Sequence, residues 1–196
     1  GGGVPGGASD TIDYVTIATT GNAVDFGNLT QARNDPGGAF SGSVRGIFTG
    51  GYTSGPSVYY NTIDYITIST TGDAQDFGDL TDKVSRSGGL SSATRGVVGG
   101  GRNASDNPIN TIDFTTIAST GNAQDFGNLA TGVSFTAGTS SPTRGVWAGG
   151  YQSPGGTHSE VIQYVTIATT GDAIDFGDLS DARGALGGFS NGHGGL

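Results

Sequence analysis

Cysteine and methionine are both absent from the 196 residues. Without cysteine, disulfides and thiolate metal sites are excluded, and the redox compartment is not legible. Lysine and glutamate occur once each, as Lys83 and Glu160. Eight cations face 17 carboxylates, a formal net charge of −9. No basic stripe exists to neutralise phosphates, so nucleic acid is not an expected partner. The same sign argues against an anionic membrane surface. No run approaches the roughly 18 consecutive apolar residues of a membrane span, so membrane insertion is not expected either. There is no signal-peptide pattern and no initiator Met, and the chain reads as a processed product or an excised part of something longer.

What is abundant is glycine, 39 residues of it, alongside six prolines. That composition would lean towards low complexity if it had no period. It has one. "TIDYVTIATTGNAVDFGNL" at 11–29 recurs as "TIDYITISTTGDAQDFGDL" from Thr62, "TIDFTTIASTGNAQDFGNL" from Thr111 and "VIQYVTIATTGDAIDFGDL" from Val161. Measured on Ile12, Ile63, Ile112 and Ile162, the spacings are 51, 49 and 50 residues. A second half recurs as "SVRGIFTGGY" (43–52), "ATRGVVGGGR" (93–102) and "PTRGVWAGGY" (142–151). The fourth copy stops at "NGHGGL", while "GGGVPGGASD" before Thr11 aligns with "GGGRNASDNP" before Thr111. The units are therefore 11–61, 62–110, 111–160 and 161–196, the last completed by 1–10, in one repeat domain.

"TIDYVTIA" is β-branched and aromatic, which predicts a strand. Ile12, Tyr14, Thr16 and Ala18 share one face and Thr11, Asp13, Val15 and Ile17 the other. Neither face is purely polar, so the strand is expected between two neighbouring sheets rather than half in water. "TTGNA" and "TTGDA" carry turn chemistry. A short strand through "VDFG" follows, with Phe26, Phe77, Phe126 and Phe176 as core anchors. "GGAFSGS" and "RGIFTGG" read as two further short strands, Trp147 as core, and no segment has helical spacing. Four short strands in about 50 residues match a propeller blade, covered on both faces by its neighbours. The expected fold is thus all-β: a four-bladed β-propeller closed by complementary N- and C-terminal segments. A solenoid is the alternative, although its coils are usually shorter and need caps rather than matching ends.

The doublets Gly50-Gly51, Gly100-Gly101, Gly149-Gly150 and Gly2-Gly3 follow a small apolar strand and precede a variable loop. This resembles the kelch repeat, although Phe stands where kelch usually has Trp and the Tyr–Trp spacing is not reproduced. The fuller wording, "IDYVTIATTGNA" with "DFG", "TRGV", a glycine run and "SNGHGGL", resembles the kelch-like repeat arrays of virion structural or tail-fibre proteins of marine bacteriophages, including cyanophages. The resemblance covers essentially the whole chain. It implies a virion-surface or extracellular location, other virion proteins as neighbours and a role in host attachment. The alternative is a cellular or secreted kelch-like protein-interaction domain.

Asp25, Asp76, Asp125 and Asp175 recur before Phe-Gly. Four carboxylates could hold a cation such as Ca²⁺; the simpler expectation is that each caps its own turn. "DFG" without a kinase's other motifs is accidental. Asp13, Asp64 and Asp113, with Gln163 in the fourth copy, are expected at an exposed or inter-unit hydrogen-bonding position. Arg45, Arg95 and Arg144 beside repeated Asp suggest inter-unit ion pairs, with an anion-binding ring as the other possibility. His158 and His193 stand far apart, and no Ser/His/Asp arrangement has support. Kelch-type copper oxidases use a Cys ligand, so that chemistry is not carried over. Glycine runs with no helix behind them are weak phosphate signals. No catalytic residue, metal or cofactor is expected. The loops after the doublets, "YTSGPSVYYN", "RNASDNPIN" and "YQSPGGTHSE", differ while the strands repeat, and binding usually sits in such loops. Tyr52, Tyr59, Tyr60, Arg102, Asn103, Tyr151, Gln152 and His158 are the candidate contacts, a mixture suited to a host-surface glycan or protein.

Overall fold

The structure is a computed structural model, described over residues 7–55, 57–152 and 156–190. It is all-β, with no helix among the described residues. Sheet I pairs β1 (Ser9–Tyr14) with β2 (Val24–Arg33). Sheet II runs β3 (Ala39–Ser41), β4 (Arg45–Thr49), β7 (Thr62–Thr67), β8 (Gln75–Asp79), interrupted by the hairpin of β5 (Tyr52–Thr53) and β6 (Val58–Tyr59). Sheet III runs β9 (Gly88–Ser91), β10 (Arg95–Gly99), β11 (Thr111–Thr116), β12 (Gln124–Asn128). After β13 (Val133–Ser134), sheet IV runs β14 (Ala137–Ser140), β15 (Arg144–Ala148), β17 (Val161–Thr166), β18 (Ile174–Asp178), with β16 (Tyr151–Gln152) pairing back to β13. Every pairing is antiparallel. The repeated strand, turn and strand of the sequence are the two outer strands of each sheet, as their composition requires.

All four sheets carry the same irregularity. Ile63 pairs with Gly78 and Asp64 with Asp76, so Phe77 is an extra residue in its strand; Phe26, Phe126 and Phe176 occupy the same bulge. A bulge strengthens the local twist and re-aims side chains. Asp25, Asp76 and Asp175 each accept a hydrogen bond from the glycine amide two residues on, at 3.1–3.2 Å, and so fasten the bulge. These aspartates are local caps.

The bulge also frees a carbonyl, and the neighbouring sheet uses it. Phe26 O, Phe77 O and Phe126 O accept from Gly72 N, Gly121 N and Gly171 N at 2.7 Å, in the "TTG" or "STG" turn of the following sheet. Asn28 O, Asp79 O and Asn128 O accept from Ala74 N, Ala123 N and Ala173 N at 2.8 Å. The outer edges of sheets I, II and III are thereby covered by the next sheet's turn, which blunts an otherwise open strand. Glycine after the bulge is required twice over. Gly27, Gly78 and Gly127 have φ of +143° to +146°, and a Cβ there would lie 2.3–2.5 Å from the facing turn backbone.

Three apolar cores fill the three junctions. Ile12, Phe26, Leu29 and Ala74 lie between sheets I and II. Phe40, Ile47, Phe77, Leu80 and Ile117 lie between II and III, and Leu90, Phe126, Leu129, Trp147 and Ile167 between III and IV. Trp147 is fully buried and donates from Nε1 to Gly88 O at 2.9 Å. In sheets II and III the repeated strand is covered on both faces, as its mixed patterning predicts, whereas in sheet I Tyr14, Val15 and Ile17 are exposed. At the inner side β3 touches β9 and β9 touches β14, and glycines permit this: a Cβ on Gly138 would sit 2.5 Å from Gly89 O.

Two expectations are corrected. Phe176 is not a core anchor: it is 55% exposed, against 2–7% for Phe26, Phe77 and Phe126, because no following turn covers its bulge. The repeated arginines form no ion pairs. Arg45 and Arg95 donate from Nη1 to Ile117 O and Ile167 O of the next sheet at 2.9 Å. Arg45, Arg95 and Arg144 stack at 4.4–4.5 Å on Tyr65, Phe114 and Tyr164 of their own sheets. A guanidinium on an aromatic face that also reaches a carbonyl satisfies itself without a carboxylate. Among the described residues no hydrogen bond or ion pair joins sheet IV to sheet I. Gly2-Gly3, His193 and the terminal segments 1–6 and 191–196, expected to complete a shared unit, lie outside the described residues.

Candidate functional site

After each doublet the chain turns at the same end of its sheet, and there the variable loops meet the segments entering the next sheet. Both glycines of Gly50-Gly51, Gly100-Gly101 and Gly149-Gly150 have positive φ, 54–68° and then 108–116°. The second donates to a carbonyl of the next entry segment: Gly51 to Val84 O and Gly101 to Val133 O at 2.7 Å, and Gly150 to Arg183 O at 2.9 Å. The doublets thus set loop against entry segment, and their conformations exclude a side chain.

The entry segments carry a feature that strand patterning does not reveal. Asp35, Arg86, Phe135 and Ala185 hold one repeat position, each in the left-handed region at φ 38°, 61°, 54° and 57°. Their backbones connect in series: Arg86 N donates to Asp35 O at 3.4 Å, Phe135 N to Arg86 O at 2.8 Å and Ala185 N to Phe135 O at 3.0 Å. Left-handed backbone is costly for bulky residues and persists where surroundings over-determine it. Here the running amide chain does so, and it presents a different side chain at each step.

Around Arg86 these side chains meet the loops. The Arg86 guanidinium donates from Nε to Asp35 Oδ2 at 2.8 Å and lies 3.6 Å from Asp106 Oδ1. It covers the rings of Tyr52 at 5.0 Å and Phe135 at 4.8 Å. Tyr52 stacks on Tyr59 at 5.5 Å. Phe135 meets Tyr151 edge-on at 5.5 Å, and Tyr151 lies 4.5 Å from the His158 ring. Tyr59, Tyr52, Arg86, Phe135, Tyr151 and His158 form one strip across loops of three sheets. Arg102 pairs with Asp106 at 2.8 Å beside it.

The electrostatics follow from these contacts. Hydrogen bonding to Arg102 holds the Asp106 carboxyl below its ordinary range, helped by Tyr59 and Arg86. Burial and the neighbouring Asp106 push the Tyr59 phenol up. Burial works against the charge on Arg86, but hydrogen bonding and attraction from Asp35 overcome it and raise its affinity for the proton. The shifts at Arg86 and Asp106 both favour the charged forms.

The sequence candidates divide three ways. Tyr52, Arg102, Tyr151 and His158 lie on or beside the strip, with His158 exposed and the other three half-buried. Tyr59 is only 7% exposed and supports Tyr52 from below. Asn103, Gln152 and Tyr60 hold the loops. Asn103 Oδ1 accepts from Ser105 N and Asn107 N, Gln152 Nε2 donates to Ser159 Oγ, and the Tyr60 backbone joins Gly51 to Val84. Asp35, Arg86, Asp106 and Phe135 were missed. The signal for Asp35, Arg86 and Phe135 was variation at a fixed place in the entry segments "RNDPGG", "VSRSGG" and "VSFTAG", and Asp106 lies inside the loop "RNASDNPIN". Among the described residues no three His, Asp or Glu side chains converge as a metal site would need. Within the strip Tyr59 OH donates to Asp106 Oδ1 at 3.3 Å. Aromatic faces flanked by ionised groups can stack on and hydrogen-bond a ligand.

The chain matches no protein-family model and no curated protein.

Proposed function

We propose that this protein is a non-catalytic binding module, its sheets the blades of a kelch-like propeller, and that it binds a glycan or protein through the strip from Tyr52 to His158. The observation that carries this reading is the convergence. Loops that differ in sequence are brought by identical scaffolding into one aromatic and ionic surface spanning three sheets. Variable loops on a repeated frame are where scaffolds place recognition. Rings backed by fixed ion pairs lose little conformational entropy when a ligand stacks on them. The likeness of the repeat wording to phage arrays supports a place on a virion or tail fibre, with a host-surface glycan or protein as the ligand.

The test is binding of the intact chain to arrays of surface glycans and to host envelope proteins. Tyr52→Ala and Tyr151→Ala are each expected to weaken binding ~10-fold or more, as loss of an aromatic contact does. Val44→Ala, at the far end of sheet II, is expected to leave it unchanged. Binding that survives both tyrosine substitutions overturns the strip as the contact surface, and turnover of a bound glycan overturns the non-catalytic reading.

A further inference from the structure

The end of the sheets opposite the doublets carries a hollow that the loop strip does not use. There Ser41, Ser91 and Ser140 hold one repeat position, each paired with the glycine that follows a repeated arginine. With Ser190 they line a cup of about 320 Å³. Two residues earlier on the same strand face, backbone packs against backbone and closes the floor. A Cβ on Gly89 would lie 2.7 Å from Ala39 O, one on Gly138 2.5 Å from Gly89 O, and one on Gly188 2.8 Å from Gly138 O. The cup is therefore blind. Ser91 Oγ donates to Ser41 O at 2.9 Å and Ser140 Oγ to Ser91 O at 2.8 Å. With those protons committed, the hydroxyls offer a ligand lone pairs, which suit the O–H groups of a polyol.

Two grooves lead outward from the cup. One, of about 280 Å³, shares Gly42, Ser43 and Ala93 with it and is lined further out by Arg45 and Ile117. The other, of about 330 Å³, shares Ser92, Ala93 and Pro142 with it and is lined by Arg95. These arginines differ from the rest. Arg33, Arg86, Arg102 and Arg183 each pair with an aspartate. Arg45 and Arg95 pair with none among the described residues, in a chain with 17 carboxylates to eight cations. No described carboxylate lines the cup or either groove. Each guanidinium is fixed by an aromatic ring and by one carbonyl bond from Nη1. Its Nε and Nη2 hydrogens have no acceptor among the described residues. A fork held in advance in this way matches a carboxylate or a phosphate. Screening over about 10 Å at 0.1 M salt lets the local guanidinium, rather than the net charge, decide what enters.

We propose that this end is a second binding site, for one acidic sugar unit. The carboxylate or phosphate of the sugar lies on Arg45 or Arg95, and its hydroxyls donate to the serine cup. Walls of Ser, Gly and Ala offer no socket for the large anchor side chains on which protein partners rely. The cup is at the small end of the roughly 300–1,000 Å³ of small-ligand sites. It shares no residue with the loop strip, and loss of binding there would leave this site intact.

The test is a nuclear-magnetic-resonance titration of the intact chain with galacturonic acid, glucose 6-phosphate, galactose and inorganic phosphate. The two acidic sugars distinguish carboxylate from phosphate. At least one is expected to shift the Arg45 and Arg95 Nε–H signals together with the Ser91 and Ser140 amides. It is expected to bind at least ~10-fold more tightly than galactose or inorganic phosphate, and Arg95→Gln to remove about that advantage. Arg95 also braces Phe114 and the Ile167 carbonyl, so a second variant leaves it in place. Ala93 is exposed in its turn, and Ala93→Glu sets a carboxylate on the wall common to the cup and both grooves. It is expected to abolish binding with the melting temperature retained. Silence of these signals with both acidic sugars at millimolar concentration overturns the proposal. So do equal affinity for galactose or inorganic phosphate, shifts at Tyr151 and His158 instead, and binding indifferent to Ala93→Glu.

Discussion

The buried Arg33 guanidinium illustrates how one residue type serves different junctions. It donates to Asp64 and to Thr62 O, while Thr30 Oγ1 and Thr30 N also donate to Asp64. Between sheets II and III the arginine is replaced by Val84, and Asp113 keeps only Thr81 N and Thr81 Oγ1 as donors. Between III and IV an amide suffices: Gln163 Oε1 accepts from Ala130 N at 2.9 Å. The protein thus contains its own substitution series. Asp64→Asn strands a buried guanidinium and is expected to cost about 3–5 kcal/mol. Arg33→Val copies the next junction and is expected to cost less, an order that denaturant titration of the two variants checks. A pH effect belongs at the same position. Burial pushes the Asp113 carboxyl above its ordinary value of 3.8, against the hydrogen bonds from Thr81. A raised folded-state value favours the protonated form. Its contribution is complete below the unfolded-state value and is lost as pH rises through the raised one. Asp113→Asn cannot ionise, so its stability relative to the unmodified chain is expected to rise from acid to neutral pH, as thermal melts across that range would record. The sequence disclosed these positions as a repeated set between units. It did not disclose their partners, since which threonine or arginine faces each one depends on how sheets stack.

At the scale of elements, strand, turn and strand were legible because each obeys a local rule: β-branched residues in the strand, glycine with Asn or Asp in the turn, and Asp holding the amide two residues on. The bulge was not legible. "DFG" reads as ordinary strand, and only the pairing of Ile63 with Gly78 and Asp64 with Asp76 shows Phe77 to be extra. The arginines misled for a related reason. Proximity to Asp in sequence suggested ion pairs, but the partner came from the aromatic opposite in the sheet and a carbonyl one sheet on. The bulge makes a sharp prediction. Gly127→Ala and Gly177→Ala impose the same kind of backbone strain, at φ +146° and +139°, but only at Gly127 does the new methyl strike a turn. Both are expected to destabilise the fold, Gly127→Ala by about 1–3 kcal/mol more, the usual cost of overpacking. Equal losses, measured by urea unfolding, would mean that turn and strand are not in the contact described.

At the scale of the molecule, stability is a sum over neighbours, as in other stacked repeats. Sheets II and III are covered on both faces, whereas sheets I and IV are covered on one. Repetition in the sequence implied this stacking directly, and the expectation that the ends are complementary rested on the same alignment. What it could not supply was the loop strip, because Asp35, Arg86, Asp106 and Phe135 come from segments far apart in the chain and meet only after the sheets have stacked. Amide exchange separates the covered edges from the open ones. In dilute solution Gly72, Ala74, Gly121, Ala123, Gly171 and Ala173 donate across junctions and are expected to exchange slowly. Gly21 and Ala23, at the same repeat positions, are expected to exchange orders of magnitude faster, as amides without a partner do. Equal exchange at all eight amides would mean that the first turn is covered as the other three are.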